Sequence, residues 1–356
     1  MRKRFKLALY LFLDFLAAMI SWGLFYIFRK EFIEPLKFGY DIPLTFSTRF
    51  YLGLIFIPLY WILLYYFTGY YKDIFRKSRM NDLIQTFLQT ILGVTLLFFI
   101  LILDDVINSY KNYYLLFGVL FGLQFFLTLT FRLILTSDTL RKIQSRKLGF
   151  NTLIIGSNLQ AVDTYKELEA QKQSYGNRIL GFVNVQTKEH YQLSDYLPLL
   201  GSWRNLERII EKHRIEEVII ALETTEHKEI SKIINKLGLC NVQIKAIPNM
   251  YDILTGKVKM TELFGTPLIK LSHDLMPVWQ ANLKQIMDYV ISFLALAVTM
   301  PLFIFLMIGV KLSSPGPVFY SHERIGRYGK PFKILKFRSM YVDAEKNGPE
   351  LSRKDD

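Results

Sequence analysis

Apolar residues occur in long runs over the first third of the chain and in short, spaced clusters after it. A helix that crosses about 30 Å of hydrocarbon needs roughly 20 apolar residues. Four early runs reach that length, at residues 7–28, 50–71, 83–103 and 113–135. The pattern predicts an α-helical membrane domain with four spans over residues 1–138.

From Asn151 onward, short strand-like runs alternate with stretches of helical spacing. The strand-like runs cover residues 152–155, 178–185, 217–222 and 242–247, and the helical stretches cover 161–173, 206–213 and 228–237. Alternation at this spacing is typical of a parallel sheet with helices on its faces. We therefore expect an α/β, Rossmann-like cytoplasmic domain over residues 139–270.

The turn after the first predicted strand bears on nucleotide binding. A dinucleotide-binding turn needs glycine at three places, and here those places hold Gly156, Asn158 and Ala161. The Asn158 side chain would crowd a pyrophosphate. No tyrosine in residues 151–260 has a lysine four positions later, which is the pair usual in short-chain dehydrogenases and epimerases. A non-catalytic module is favoured, and a bound dinucleotide is the open alternative.

A fifth apolar run covers residues 289–310 and lies between Lys284 and Lys311. A fifth crossing would place the strongly basic segment that follows outside the cell, against the positive-inside rule. Pro301, near the middle of the run, removes a backbone hydrogen bond and can break the helix. A re-entrant helix over about 284–311 would satisfy both signals. A straight span with a proline kink is the alternative.

The charge balance supports a cytoplasmic location for the soluble part. Lys plus Arg number 44 against 31 Asp plus Glu, a formal net charge of +13. Basic residues concentrate before the first run, between the second and third, and after the fourth, which places these segments inside. The single cysteine, Cys240, excludes a disulfide scaffold and a cysteine-based zinc site. For Asp14, the only charge in the first run, we expect a local ion pair with Arg4 or Lys6.

Three ordered sequence blocks follow the fifth run. They are SPGPVF at residues 314–319, ERIGRYGKPF at 323–332, and KFRSM with DAE at 336–345. In this order and spacing they resemble the polyprenyl-phosphate phosphoglycosyl transferases, the bacterial sugar transferases that start exopolysaccharide or O-antigen repeat units. The whole chain resembles the larger, multi-span members, which implies that residues 271–356 begin a membrane-associated α+β catalytic domain.

The resemblance also implies roles for single residues. Asp343 would be the nucleophile, and Glu345 would assist it or hold Mg²⁺. The residues expected to bind substrate phosphates are Arg324, Lys330, Lys336 and Arg338. The chain departs from the family in ending where the catalytic domain should continue, so we expect a fragment or a truncated product. It also has Ala344 between the two carboxylates and Met300, rather than serine, before the proline.

The implied reaction transfers a sugar phosphate from a UDP-sugar to undecaprenyl phosphate at the cytoplasmic face of the bacterial inner membrane. The expected partners are the UDP-sugar, the polyprenyl phosphate and membrane lipid, without nucleic acid, and a homo-oligomer is compatible with the sequence. Two alternatives stay open: a catalytically inactive, membrane-anchored regulatory or assembly protein, and a nucleotide-sugar dehydratase or epimerase.

Overall fold

The computed structural model describes residues 2–35, 43–102, 110–171, 173–187, 189–222, 227–247, 268–271, 276–313, 315–326 and 329–338. The chain divides into two compact units. The first comprises Met1–Gly149, Gln171–Gly176 and Met276–Asn282, and the second comprises Phe150–Ala170, Asn177–Leu275 and Leu283–Asp356.

The first unit is built from long apolar helices. They are α1 (Arg2–Phe28), α2 (Thr48–Phe67), α3 (Arg79–Leu97) and α4 (Tyr110–Gln144), and single π-helical turns extend α1 over Arg29–Ile33 and α3 over Phe98–Ile102. These four helices are long and apolar enough to cross a membrane, and so is a fifth helix in the described residues, Val278–Ser313. The predicted helical membrane part is therefore confirmed.

A glycine sets the distance between α2 and α3. A Cβ atom added to Gly93 would lie 2.3 Å from the ring of Trp61, so only glycine fits at this position. The Tyr60 hydroxyl donates a hydrogen bond to the Gly93 carbonyl at 2.8 Å. Small residues that allow close backbone approach are a common feature of helix packing in membranes.

A buried ion pair connects α1 and α4. Nε and Nη2 of Arg132 donate to Oδ1 and Oδ2 of Asp14, both at 3.0 Å. The Tyr71 hydroxyl donates to Oδ2 of the same carboxylate at 2.7 Å. Nη1 of Arg132 donates to two side chains of α3, Thr86 Oγ1 at 3.0 Å and Gln89 Oε1 at 3.1 Å. One guanidinium group therefore contacts polar groups of two other helices.

The expectation that Asp14 pairs with Arg4 or Lys6 is wrong. The Lys6 ammonium donates to Thr139 Oγ1 instead, while Arg132 binds Asp14. The physical reason is burial, because a guanidinium taken out of water needs a carboxylate with matching two-point geometry.

A second buried carboxylate, Asp82, lies at the start of α3. It accepts hydrogen bonds from the Tyr70 hydroxyl, at 2.9 Å, and from Thr136 Oγ1. The Lys77 Nζ atom lies 3.7 Å from Asp82 Oδ1 and 2.7 Å from the centre of the Tyr70 ring. Burial lowers the pKa of Lys77 to about 6, with a further contribution from the positive charge of Arg132.

The second unit contains a mixed six-stranded sheet. Its elements are β1 (Phe150–Ile155), α5 (Leu159–Ala170), β2 (Asn177–Asn184), β3 (Leu199–Ser202), α6 (Leu206–His213), β4 (Glu217–Ile220), α7 (His227–Gly238), β5 (Gln243–Ala246) and β6 (Ile269–Leu271). The strand order is β3-β2-β1-β4-β5-β6. The pairs among β1 to β5 are parallel, and β6 is antiparallel to β5. The predicted Rossmann-like parallel sheet is confirmed.

The last described elements are α8 (Val278–Ser313), β7 (Phe319–Ile325) and β8 (Pro331–Phe337). Helix α8 does not end at Pro301, which lies inside it, and a sharp bend at this residue stays a prediction. A proline inside a helix removes one hydrogen bond and can bend the helix without ending it. The re-entrant arrangement stays a prediction. At 1.5 Å per residue, the 36 residues of α8 would extend about 54 Å if straight.

Candidate active site

The turn between α8 and the β7–β8 hairpin is held from both sides. Lys311 Nζ donates to the Gly316 carbonyl at 3.2 Å, and Gly316 has φ +132°, a value that favours glycine. Arg338, directly after β8, donates from Nη1 to the Pro315 carbonyl at 3.1 Å and from its backbone N–H to the Val318 carbonyl at 3.0 Å. Gly316 is thus fixed to the end of α8, and Pro315 and Val318 to the end of β8. Arg338, predicted to bind substrate, also has this positioning contact.

The antiparallel register sorts the hairpin side chains onto two faces. Residues directly opposite in neighbouring strands share a face, and successive residues alternate between faces. Tyr320 lies opposite Lys336, and Arg324 lies opposite Phe332. The face that these pairs define is called the basic face here. Its members are Tyr320, His322, Arg324, Phe332, Ile334 and Lys336.

Two predicted phosphate-binding residues, Arg324 and Lys336, lie on this basic face and are exposed. Lys336 lies four positions after Phe332, the partner of Arg324, so the backbone positions of the two cationic residues are about 13 Å apart along the strands. They could contact different parts of one extended anionic ligand.

Lys330 lies in the hairpin turn and is exposed. The turn is closed by hydrogen bonds from Gly326 N to the Lys330 carbonyl at 2.8 Å and from Gly329 N to the Gly326 carbonyl at 3.2 Å. Gly329 has φ +69°, so the turn uses its conformational freedom. The structure therefore brings Arg324, Lys330 and Lys336 onto one hairpin, with Lys330 at its tip.

The predicted catalytic pair, Asp343 and Glu345, lies outside the described residues, and its assigned roles stay predictions. Mg²⁺ prefers oxygen ligands, which these carboxylates could supply. In the part of the chain that the structure describes, no three His, Cys, Asp or Glu side chains come together as a metal site.

The turn after β1 is closely packed. Asn158 Oδ1 accepts a hydrogen bond from Ala161 N at 3.0 Å and caps α5. A Cβ atom on Gly156 would lie 2.1 Å from the Ala221 carbonyl oxygen, and the Gly156 N–H donates to the Val183 carbonyl at 3.0 Å. In this turn, glycine is needed for packing against β4, and the Asn158 side chain is used for capping.

Two family models match the chain. The model described as a bacterial sugar transferase matches residues 279–356, which contain α8 and the hairpin. The model described as a CoA-binding domain matches residues 67–248, just over half of the chain. The second match includes α3, α4 and most of the sheet.

The chain is also similar to curated proteins that are named as undecaprenyl-phosphate sugar phosphotransferases. The UDP-glucose:undecaprenyl-phosphate glucose-1-phosphate transferase of Xanthomonas campestris pv. campestris is 31% identical over 150 residues, 41% of this chain and 31% of the relative. The undecaprenyl-phosphate galactose phosphotransferase of Salmonella typhimurium is 28% identical over 236 residues, 64% of this chain and 48% of the relative. A solved UDP-D-quinovosamine 4-dehydrogenase from Vibrio fischeri matches at 23% identity with a TM-score of 0.25, covering 35% of this chain and 96% of that one.

The described residues thus comprise apolar helices long enough to cross a membrane, a Rossmann-like sheet, and an apolar helix followed by a basic hairpin. The match over residues 279–356 and these relatives support a polyprenyl-phosphate phosphoglycosyl transferase. The chain spans from about a third to about half of the length of these curated relatives.

Proposed function

We propose that this protein transfers a sugar phosphate from a UDP-sugar to undecaprenyl phosphate at the cytoplasmic face of the bacterial inner membrane, and so starts polysaccharide synthesis. The observation that carries this proposal is the basic face of the hairpin directly after an apolar helix. Both substrates are anionic, and one is anchored in lipid. A cationic surface beside a membrane helix attracts such ligands, and the guanidinium of Arg324 fits phosphate oxygens.

The proposed reaction has two steps. A carboxylate oxygen of Asp343 attacks the sugar-bearing phosphorus of the UDP-sugar, and the phosphoanhydride bond breaks with its electron pair leaving on UMP. An oxygen of undecaprenyl phosphate then attacks the acyl-phosphate and releases the Asp343 carboxylate. A covalent intermediate divides one difficult displacement into two easier ones.

Glu345 is proposed to hold Mg²⁺ or to assist Asp343. Mg²⁺ is bound in proteins by one or two carboxylates together with substrate phosphates, and it would offset the charge of the pyrophosphate. Arg324, Lys330 and Lys336 would hold the donor phosphates in line with the Asp343 carboxylate.

The proposed topology returns α8 to the face from which it enters. Helix α8 begins next to the end of α2, where Asn282 Nδ2 donates to the Phe67 carbonyl at 2.7 Å and Gly69 allows Val278 to approach. By the positive-inside rule, the basic residues that follow α2 favour a cytoplasmic location for that end. The start of α8 would then be cytoplasmic, and a bend at Pro301 would return the basic hairpin to the same side.

The test is to trap the covalent intermediate. The protein is incubated with a UDP-sugar radiolabelled in the sugar and without polyprenyl phosphate. We expect one equivalent of label on the protein and one equivalent of UMP released. Asp343→Asn should abolish both, because an amide is a poor nucleophile toward phosphorus.

Glu350→Gln serves as the matched control, a loss of charge in the same segment that should leave trapping unchanged. Label on the Asp343→Asn protein would reassign the nucleophile, with Glu345 as the next candidate. Release of UMP only when undecaprenyl phosphate is present, with no labelled protein, would overturn the covalent route.

A further inference from the structure

The second face of the β7–β8 hairpin differs chemically from the basic face. We call it the apolar face. Its members are Phe319, Ser321, Glu323, Ile325, Pro331, Lys333, Leu335 and Phe337. The two charges on it, Glu323 and Lys333, lie directly opposite each other across the strands, so this face has no net charge. On the basic face, Arg324 and Lys336 have no acidic residue opposite them.

The apolar face is continuous with α8. The Phe337 ring stacks on Phe303 of α8, with ring centres 5.5 Å apart and an interplanar angle of 29°. Phe319 stacks on Phe337 at 5.3 Å and the same angle. The open end of the hairpin therefore contacts, through this face, the apolar run at residues 289–310 of α8, a helix with none of its described residues buried in protein.

Further along the same face, large apolar side chains are uncovered. Ile325 is 80% exposed and Leu335 is 69% exposed. Burial of apolar side chains of this size is favourable, so leaving both in water is unfavourable. Exposed apolar surface next to a membrane helix indicates a membrane contact.

We propose that the apolar face of the hairpin lies on the boundary between lipid headgroups and hydrocarbon of the bilayer that holds α8. The Phe303–Phe337–Phe319 stack extends the lipid-facing surface of α8 onto the hairpin. The Lys333 ammonium can reach the headgroups, as long basic side chains do at this depth. The basic face then points away from the hydrocarbon, toward water and soluble anions. This inference does not depend on the identity of the reaction.

The test is the accessibility of nitroxide labels on the two faces. Single cysteines at positions 325 and 335, on the apolar face, and at 322 and 334, on the basic face, are introduced into the full chain with Cys240→Ser. Each protein is labelled and reconstituted into phosphatidylethanolamine–phosphatidylglycerol vesicles. Relaxation by oxygen, which concentrates in lipid, is compared with relaxation by a water-soluble nickel chelate.

We expect oxygen to dominate at 325 and 335 and the nickel chelate to dominate at 322 and 334, so that the ratio inverts between faces. A label replacing Phe305, which is exposed on α8, sets the lipid value, and a label replacing Lys232, exposed on α7, sets the water value. Equal ratios on both faces would overturn the proposal. So would protection of 325 and 335 from both reagents, which would mean that protein covers this face. Neither outcome bears on trapping at Asp343, so the two proposals fail independently.

Discussion

Arg132 and Asp14 are 118 residues apart in the sequence, yet their side chains form a two-point ion pair in which both donor–acceptor distances are 3.0 Å. Each side chain is 1% exposed. The centres of the Tyr65 and Tyr70 rings lie 4.0 and 3.5 Å, respectively, from the guanidinium carbon of Arg132. Because an unpaired charge in a dry interior is costly, each residue depends on the other to remain buried and charged.

Removing one member of this pair should therefore destabilise the first unit strongly. Arg132→Met leaves Asp14 buried without a cation, and Asp14→Leu leaves Arg132 without a carboxylate. We expect each to lower the free energy of unfolding by about 3–5 kcal/mol. The double variant should recover part of this loss, since it leaves no unpaired charge. The measurement is unfolding in mixed detergent micelles, followed by tryptophan fluorescence.

The exposed pair of Lys142 and Asp138, 2.7 Å apart on the same helix as Arg132, provides the control. Asp138→Asn should cost no more than about 0.5 kcal/mol, because water screens this pair. Equal losses for Asp14→Leu and Asp138→Asn would contradict the role assigned to the buried pair.

The sequence carried a signal for this pair. Asp14 is the only charge in the first apolar run and Arg132 the only one in the fourth, and two isolated, opposite charges at membrane depth are expected to meet. Nearby Arg4 and Lys6 instead made a local partner the simpler interpretation. Which charges meet is decided by helix packing, and that depends on contacts such as Gly93 with Trp61 that sequence periodicity does not specify.

In the second unit, the sequence predicted β1, β2, β4 and β5 from their β-branched and apolar runs. It did not predict β3 or β6. The β3 strand is only four residues long and contains Gly201, and β6 is a three-residue antiparallel edge strand. Such short strands are stabilised by their neighbours in the sheet rather than by local propensity. The sequence blocks of the hairpin were recognised, but its two faces were not predicted. Which side chains share a face depends on the register between the two strands.

Lys77 should make the stability of the first unit depend on pH. Its pKa is about 6 in the folded protein against an ordinary value of 10.5. Between these values the unfolded chain holds a proton that the folded protein does not, so stability should rise with pH from about 6 to 9. Thermal unfolding in detergent, measured by circular dichroism across this range, checks the slope.

Lys77→Met should remove most of that slope, because methionine does not titrate. Lys72→Met, an exposed change in the same connection, should leave it in place. A slope that is unchanged in Lys77→Met would show that other groups cause the pH dependence.

Arg324 and Arg338 should affect catalysis differently. Arg324→Ala removes an exposed cation from the basic face and should raise the KM for the UDP-sugar about tenfold, the effect of losing a contact of about 1.4 kcal/mol. Arg338→Ala also removes the hydrogen bond to the Pro315 carbonyl, and should therefore lower kcat as well. Steady-state kinetics with the UDP-sugar as the varied substrate separates the two effects.

Lys333→Ala, on the apolar face, is the matched control for a lost cation on the same hairpin and should leave the KM for the UDP-sugar within about twofold. A comparable rise in KM for Lys333→Ala would mean that the basic face does not select the donor.

The sheet of the second unit should not bind NAD at micromolar concentrations. Asn158 occupies the place where a pyrophosphate needs glycine, and its Oδ1 caps α5. Calorimetric titration of the full chain with NAD should show no binding with a Kd below about 10 μM, or roughly −7 kcal/mol. A clear saturable titration below that value would reverse the assignment of this domain as non-catalytic.

The final prediction concerns the two ends of α8. If α8 is re-entrant, Lys284 near its start and Lys330 in the hairpin turn both face the cytoplasm, because basic residues flank the apolar run at both ends. In a Cys240→Ser background, cysteines at 284 and 330 should not react with an impermeant maleimide on intact spheroplasts and should react after permeabilisation. Ser109→Cys, in the connection predicted to lie outside, should react before permeabilisation. Labelling of 330 from outside, with 284 still protected, would show a straight span and would place the basic face away from the cytoplasmic UDP-sugar.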